Sequence, residues 1–367
     1  MKKILKTLAL SLLFIPFIAG CKAPVFYEIM RDVAPEEATV NGVITSITRY
    51  ESDTEEKLVT FSSDGLIWKD ADGTAHGQWS CFPDSNQLSG KIIKTAADKS
   101  NLYVVTITFH EDVEKGLNLP DAATLWCYNN GKWYEVKTPK LNPGNFNIFC
   151  TNDVNNDNRS AYLRIGDKVY ELNGKNFPTS EKTTGNYNSV VYFSETAKDS
   201  STENKHLNNV DKFYFFTSTA SVADNTKKKI YWGEGTSLYY CDKDTEPTKS
   251  LDAGTDISCL AVTSDSLLIG RGDFSNSLIS KGGIAKTSLT NGVPGNSLES
   301  FSTNATSQLA SVYQIYTLLV ANPEQTELEA SIYASMGFKG SGSSTSVSYD
   351  NIGLWSYYPA RGNWNRE

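Results

Sequence analysis

The stretch "GLWSYYPARGNW", residues 353–364, places an aromatic run on each side of a short polar turn. Short β-branched or aromatic runs that are bounded by Gly, Pro or Asn are typical of β-strands. The stretch therefore predicts two antiparallel strands that are joined through residues 359–362.

The same hairpin pattern recurs along the chain at intervals of about 55 residues, a period typical of repeat folds. Each copy has an apolar residue, then usually an aromatic residue, and then a turn that often carries Gly-x-Trp. The second positions of the six copies are Trp68, Trp126, Tyr170, Tyr239, Ala285 and Trp355.

Two further strand-like runs precede each copy of the hairpin. The first of these runs are residues 42–50, 90–98, 145–153, 189–196, 256–265 and 311–321. The second are residues 57–63, 101–109, 160–166, 211–220, 266–270 and 329–338. Each repeat therefore predicts four short strands, and we expect little helix.

Four strands repeated six times predict an all-β fold, a β-propeller of six four-stranded blades. A single blade exposes two apolar faces, and packing blades around a ring covers both of them. We assign residues 39–367 to this one domain. Seven blades, with one copy unrecognised, and stacked β-sandwiches are the alternatives.

The first residues, "MKKILKTLALSLLFIPFIAGC", combine early lysines, a short apolar run and small residues before Cys21. This order is typical of a secretory signal peptide. It resembles the lipobox of bacterial lipoproteins. The resemblance implies that residues 1–20 are removed and that Cys21 carries a diacylglycerol and an acyl chain such as palmitate. Residues 21–38 would then be a tether to the membrane.

Lys22 follows the cysteine, where Asp marks retention at the inner membrane in enterobacterial lipoproteins. We therefore expect an exported protein that is anchored to the cell envelope, at the outer membrane. Which side of that membrane it faces is left open.

Two segments, residues 62–79 and 348–355, resemble the Asp-box turn of bacterial propellers, in which Ser and Asp precede Gly and an aromatic residue. The resemblance implies that Asp64 and Asp350 accept backbone hydrogen bonds in a turn. That role is structural.

The chain has a formal net charge of −8. Binding to nucleic acid depends on Lys and Arg side chains that neutralise phosphates, so the charge argues against this function class. We expect a monomeric domain whose contact with the membrane is the lipid anchor.

The segment "DVNNDN" places Asp153, Asn155 and Asp157 at alternate positions, as at the start of a Ca²⁺ loop. Arg164 stands at the twelfth position, where such loops have Glu. A polar loop between strands is the alternative, and no other cofactor is expected.

Arg271, Gly272 and Asp273 form an Arg-Gly-Asp tripeptide. It resembles the motif that integrins read on exposed loops of host adhesion proteins. A glycine-rich turn after a strand is the alternative.

Histidine spacing gives no support to a zinc motif, since His76, His110 and His206 are far apart. The chain has five cysteines besides Cys21, and an exported protein can form disulfides. The sequence leaves their pairing open, with buried free thiols as one outcome. They are Cys81, Cys127, Cys150, Cys241 and Cys259.

These features predict a non-enzymatic scaffold that binds a protein or glycan partner with its loops. The alternative is a propeller-type carbohydrate-active enzyme, a glycosidase or lyase, with its site at the central channel. The longer inter-strand segments are candidates for binding, among them residues 110–122 and 221–229.

Overall fold

The computed structural model describes residues 40–52, 55–63, 65–71, 77–98, 100–112, 116–150, 152–153, 159–166, 168–179, 217–218, 229–242, 248–272, 282–301, 313–337, 352–360 and 362–367. The signal peptide, Cys21 and the tether lie outside these residues. Within them, no helix is long and apolar enough to cross a membrane.

The first two blades are four-stranded antiparallel sheets. The first consists of β1 (Thr48–Ser52), β2 (Glu55–Ser62), β3 (Gly65–Asp70) and β4 (Ser80–Cys81). The second consists of β5 (Lys91–Ala97), β6 (Leu102–Asp112), β7 (Leu117–Asn129) and β8 (Lys132–Leu141). A 3-10 turn at Ser85–Gln87 lies between the two sheets.

The third and fourth blades each have three described strands. The third consists of β9 (Phe146–Cys150), β11 (Ala161–Ile165) and β12 (Lys168–Glu171). The fourth consists of β14 (Lys229–Glu234), β15 (Ser237–Asp242) and β16 (Thr248–Asp252). The short strands β10 (Asn152–Asp153) and β13 (Thr217–Ser218) pair with each other in parallel.

The fifth blade begins with β17 (Ile257–Val262), β18 (Ser266–Arg271) and β19 (Gly283–Thr290). The short strands β20 (Val293–Pro294) and β21 (Glu299–Ser300) both pair with β19. The sixth blade consists of β22 (Gln314–Val320), β23 (Ile332–Gly337), β24 (Gly353–Tyr358) and β25 (Asn363–Arg366).

The described strands form a six-bladed β-propeller, which confirms the predicted all-β class and the repeat number. The described strands form neither a seventh blade nor stacked sandwiches. First strands of successive blades lie side by side, since β5 contacts both β1 and β9, and β17 contacts β22. The six predicted hairpin positions all lie in strands.

The core consists of apolar clusters between successive blades. Each of the five clusters in the described residues contains side chains from two neighbouring sheets, as burial between blades requires. Representative pairs are Val59 with Val104, Tyr103 with Leu163, Leu238 with Ile269, Leu268 with Ile315, and Leu319 with Leu58. The last pair joins the sixth blade to the first and closes the ring.

The ring closes without exchange of a strand between the end blades. The sixth blade takes all four strands from the C-terminal part of the chain, and the first takes all four from the N-terminal part. The segment before β1 covers the seam, where Ile44 donates its backbone N–H to Ser335 Oγ at 2.9 Å. Residues 25–30, which could have added a strand beside Trp364, lie outside the described residues.

A buried ion pair also crosses the seam. Lys69 of β3 is 3% exposed, and its Nζ lies 2.9 Å from Glu367 Oε2, on a side chain with no exposed surface. Trp79 Nε1 donates to the same oxygen at 2.7 Å, and Lys69 Nζ also donates to Tyr358 Oη. The other oxygen, Oε1, accepts from Ser356 Oγ. Burial raises the pKa of the Tyr358 hydroxyl.

The fourth repeat corrects one strand assignment. The strand that pairs with β15 is β14, not the predicted run at residues 211–220. Tyr231 and Trp232 of β14 are buried, and a Cβ on Gly233 would lie 2.6 Å from Ile257 Cβ of the next blade. Close packing against the fifth blade therefore explains why β14 is the strand beside β15.

Candidate functional site

A cleft of about 730 Å³ opens between the second and third blades. This volume is within the range of small-molecule binding sites. Three segments line it: the β5–β6 turn, the residues just before β11, and the segment that begins with the last residue of β12. The lining residues are Asp98, Ser100, Asn101, Arg159, Ser160, Glu171, Leu172, Asn173, Asn176, Phe177, Pro178 and Thr179.

Asp98 shapes the first segment. Its Oδ1 accepts hydrogen bonds from the backbone N–H groups of Ser100 and Asn101, both at 2.7 Å. Its Oδ2 accepts from Asn101 Nδ2 at 2.9 Å and from the hydroxyl of Tyr103 at 2.8 Å. An Asp that bonds the next residues in this way stabilises a tight turn. Both of its oxygens are therefore engaged by donors from its own turn and strand.

Tyr103 connects this turn to the third blade. Its hydroxyl accepts a hydrogen bond from the backbone N–H of Gly174 at 2.7 Å while donating to Asp98. Burial, followed by the charge of Asp98, raises the pKa of this hydroxyl. It therefore stays protonated and holds the segment after β12 against the second blade.

Arg159 lines the cleft and is bonded to Arg49 and Glu56 of the first blade. Arg159 is 4% exposed, and it donates to the backbone oxygen of Arg49 at 2.8 Å and to Glu56 Oε1 at 2.6 Å. Arg49 donates to both oxygens of Glu56 at 2.8 Å. Burial would raise the pKa of Glu56, but the hydrogen bonds and charges of the two arginines outweigh it and hold the pKa below its usual value.

Several polar groups of the cleft are available to a ligand. The amide groups of Asn173 and Asn176 and the hydroxyls of Ser100 and Thr179 make no side-chain hydrogen bonds within the described part of the chain. Glu171 accepts from Ser160 Oγ at 3.1 Å. The cleft thus offers donors and acceptors side by side.

Phe177 gives the cleft its aromatic surface. The ring is half-buried and packs on Tyr170, with centroids 4.7 Å apart at 49°. Asn176 and Phe177 also line a second cavity of about 390 Å³, together with Tyr134, Glu135, Lys137 and Lys175. The two cavities therefore adjoin at this pair of residues.

The predicted Ca²⁺ candidate cannot be placed. The backbone of Asp153 lies in β10, but its side chain, Asn155 and Asp157 lie outside the described residues. Arg164 is buried in β11 and donates to the backbone oxygen of Gly166 at 2.7 Å. In the part of the chain that is described, no three His, Cys, Asp or Glu side chains form a group that could hold a metal.

The Arg-Gly-Asp tripeptide begins in the fifth blade. Arg271 ends β18 and is half-buried, and a Cβ added to the buried Gly272 would lie 3.0 Å from Gln314 Cβ. Asp273 lies outside the described residues, as do Asp64 and Asp350. Gly272 therefore lies against the sixth blade, and recognition of the tripeptide by a partner stays a prediction.

Cys81, Cys127, Cys150 and Cys259 have free thiols. Burial raises the pKa of Cys127 and of Cys259 to about 12, so these thiols are unreactive at neutral pH. The side chain of Cys241 lies outside the described residues.

A hairpin arm, Thr108–Ala122, extends from the second blade where a loop was predicted. β6 and β7 stay paired as far as Asp112 and Leu117, beyond the ends of the neighbouring strands. Phe109 is 47% exposed and Leu117 is 53% exposed. The arm therefore presents apolar surface outside the ring.

No family model matches the chain, and no curated protein matches it. Solved structures with a similar arrangement include the SapL1 lectin in complex with alpha methyl fucoside, at 12% identity and a TM-score of 0.41, covering 89% of this chain and 95% of that one. A subtype N10 neuraminidase-like protein of A/little yellow-shouldered bat/Guatemala/060/2010 is 8% identical with a TM-score of 0.38, covering 82% of this chain and 94% of that one. A mutant of the GH43 protein BlXynB from Bacillus licheniformis is 10% identical with a TM-score of 0.34, covering 84% of this chain and 51% of that one.

Proposed function

We propose that the protein is an envelope lipoprotein whose propeller binds a glycan in the cleft between the second and third blades, without catalysis. The observation that carries this proposal is the set of unengaged amide and hydroxyl groups around Phe177. Sugar hydroxyls both donate and accept hydrogen bonds, and an Asn amide offers both partners. The C–H face of a sugar ring can pack on the aromatic ring, which is apolar surface.

The carboxyl groups near the cleft favour binding over hydrolysis. A glycosidase needs one carboxyl group kept protonated as a general acid, and so a raised pKa. Asp98 is occupied by its own turn, Glu171 accepts a hydrogen bond from Ser160 Oγ, and the pKa of Glu56, beside Arg159, is shifted downward. None of these contacts marks one of the three carboxyl groups as a general acid.

Removing the central contacts of the cleft should weaken glycan binding. We expect Asn176→Ala and Phe177→Ala each to reduce the affinity about tenfold, the loss of roughly 1.4 kcal/mol of hydrogen bonding or packing. Titration calorimetry of the full chain, purified in detergent, against a panel of defined oligosaccharides measures this.

Asn118→Ala is the matched control, because Asn118 is an exposed amide on the hairpin arm, outside the cleft. It should bind as the unaltered chain does. Equal affinities for the Asn176→Ala, Phe177→Ala and unaltered chains would contradict the assignment of the cleft.

The lipid anchor is part of the same proposal and rests on the lipobox resemblance. Two or three acyl chains hold a protein stably at a membrane, since each buried CH₂ contributes about 0.8 kcal/mol. Cells that are fed labelled palmitate should label the unaltered protein, whereas Cys21→Ala should remain unlabelled. The Cys81→Ala variant removes an exposed thiol and should keep the label. An unlabelled unaltered protein would exclude the anchor.

A protein partner is the second candidate, and the hairpin arm favours it. Its sequence, "TFHEDVEKGLNLPDA", holds four acidic residues and one lysine beside the exposed Phe109 and Leu117. Such a surface suits a basic partner with apolar residues. If no member of the oligosaccharide panel binds, the arm becomes the better candidate.

A further inference from the structure

The second cavity differs from the cleft in its charge. Lys137 is paired with Glu135 at 2.6 Å. The Nζ of Lys175 lies 4.9 Å from the centroid of the Tyr134 ring, and no carboxylate among the described residues forms an ion pair with it. Lys175 therefore contributes to the cavity an exposed ammonium group that contacts Tyr134 and has no ion-pair partner among the described residues.

The cleft itself has the opposite character. Asp98 and Glu171 both line it, and the charge of Arg159 is directed at Glu56. A ligand carboxylate in the cleft would lie near the carboxylates of Asp98 and Glu171, and this repulsion is unfavourable. A neutral sugar therefore fits the cleft, and an anionic group fits the second cavity.

The two cavities are joined by residues that belong to both. Asn176 and Phe177 line both the cleft and the second cavity. Because the cavities adjoin at these residues, an oligosaccharide longer than one sugar unit can extend from one cavity into the other. The cleft thus offers partners for sugar hydroxyls, and the adjoining second cavity offers a cationic group.

We propose that the site selects an acidic oligosaccharide, with a neutral residue in the cleft and a carboxylate-bearing residue beside Lys175. This inference rests on the proposed glycan-binding function. Lys175 determines the specificity, because its ammonium group can form a charge-assisted hydrogen bond with the carboxylate. Tyr134 holds the lysine in place by the cation–π contact.

The test uses oligosaccharides in matched pairs, each consisting of a uronate-bearing sugar and the same sugar with its carboxyl group reduced to an alcohol. Titration calorimetry of the full chain in detergent should give about fivefold tighter binding for the acidic member, a gain typical of an exposed ion pair. Lys175→Ala should remove this difference by lowering the affinity for the acidic member to the level of the reduced member. Lys175→Arg should retain it.

Lys140→Ala is the matched control, since Lys140 is an exposed lysine of β8 that lines neither cavity. It should keep the preference for the acidic sugar. Sulfated and phosphorylated sugars form a further arm of the panel, and a preference for them over uronates would overturn the assignment to a carboxylate.

The outcomes separate this inference from the function on which it rests. If acidic and reduced sugars bind equally well and Asn176→Ala weakens both, the cleft binds glycans but the acidic specificity is wrong. If Lys175→Ala leaves the preference unchanged, Lys175 is not its source. If no member of the panel binds, both proposals fail.

Discussion

Removal of residues 353–367 is expected to abolish folding of the propeller. The deletion takes away β24 and β25, and with them Trp355, Tyr357 and Trp364, which pack between the fifth and sixth blades. It also removes Leu354 and Tyr358, which pack on the first blade. Since both faces of the sixth blade lose their cover, the ring opens at two interfaces. Circular dichroism should show no cooperative thermal transition.

The hairpin arm provides a control deletion of the same length. Thr108–Ala122 extends beyond the ring, and we expect the blade to tolerate its replacement by an Asn-Gly turn, which suits a two-residue hairpin. That variant should unfold cooperatively near the temperature of the unaltered chain. A cooperative transition in the chain that lacks residues 353–367 would contradict the assignment of these residues to the ring seam.

The second large effect concerns the buried ion pair at the seam. Lys69→Met leaves the carboxylate of Glu367 without its cation, in a site where that side chain has no exposed surface. Breaking a buried pair by removing one partner costs about 3–5 kcal/mol. We expect a loss of this size in the free energy of unfolding, measured by urea denaturation at neutral pH.

The double variant Lys69→Met, Glu367→Gln tests the cause. Replacing both members of a buried pair with neutral groups of similar volume is often close to neutral. The glutamine oxygen can still accept from Trp79 Nε1, and its amide nitrogen can donate to Ser356 Oγ, whose hydroxyl now donates to Glu367. The double variant should therefore be more stable than Lys69→Met alone. A loss below about 1 kcal/mol in Lys69→Met would be typical of an exposed pair and would exclude this role.

The strand pattern could be predicted because apolar and aromatic residues recur at equivalent positions of the blades, where the same packing buries them. Trp68, Trp126, Tyr170 and Trp355 mark hairpins in four blades, and all lie in the strand before the final turn. Ala285 takes the same position in β19 without an aromatic ring. The strand-like runs and turns around Ala285 are enough to place this copy of the hairpin, because the repeat interval of about 55 residues does not depend on one side chain.

The sequence does not predict β14, because its residues give a mixed signal. Lys227, Lys228 and Lys229 precede Tyr231 and Trp232, so the segment reads as a polar insertion that ends in a short aromatic run. Burial against the fifth blade, not the local pattern, determines this strand.

The cleft could not be predicted from the sequence. Asn173, Lys175, Asn176 and Phe177 belong to a short turn-like segment, "LNGKNF", that resembles many surface loops. Its position opposite Asp98 depends on the hydrogen bond from Gly174 to Tyr103, which joins two blades. Only the three-dimensional arrangement brings these segments together.

A crystal structure of the protein with the oligosaccharide that binds most tightly in the panel would show whether the cleft is the glycan site. We predict a sugar ring packed on Phe177, with hydrogen bonds to the amides of Asn173 and Asn176. A sugar bound in the central channel or on another face, with the cleft between the second and third blades empty, would contradict the proposed function.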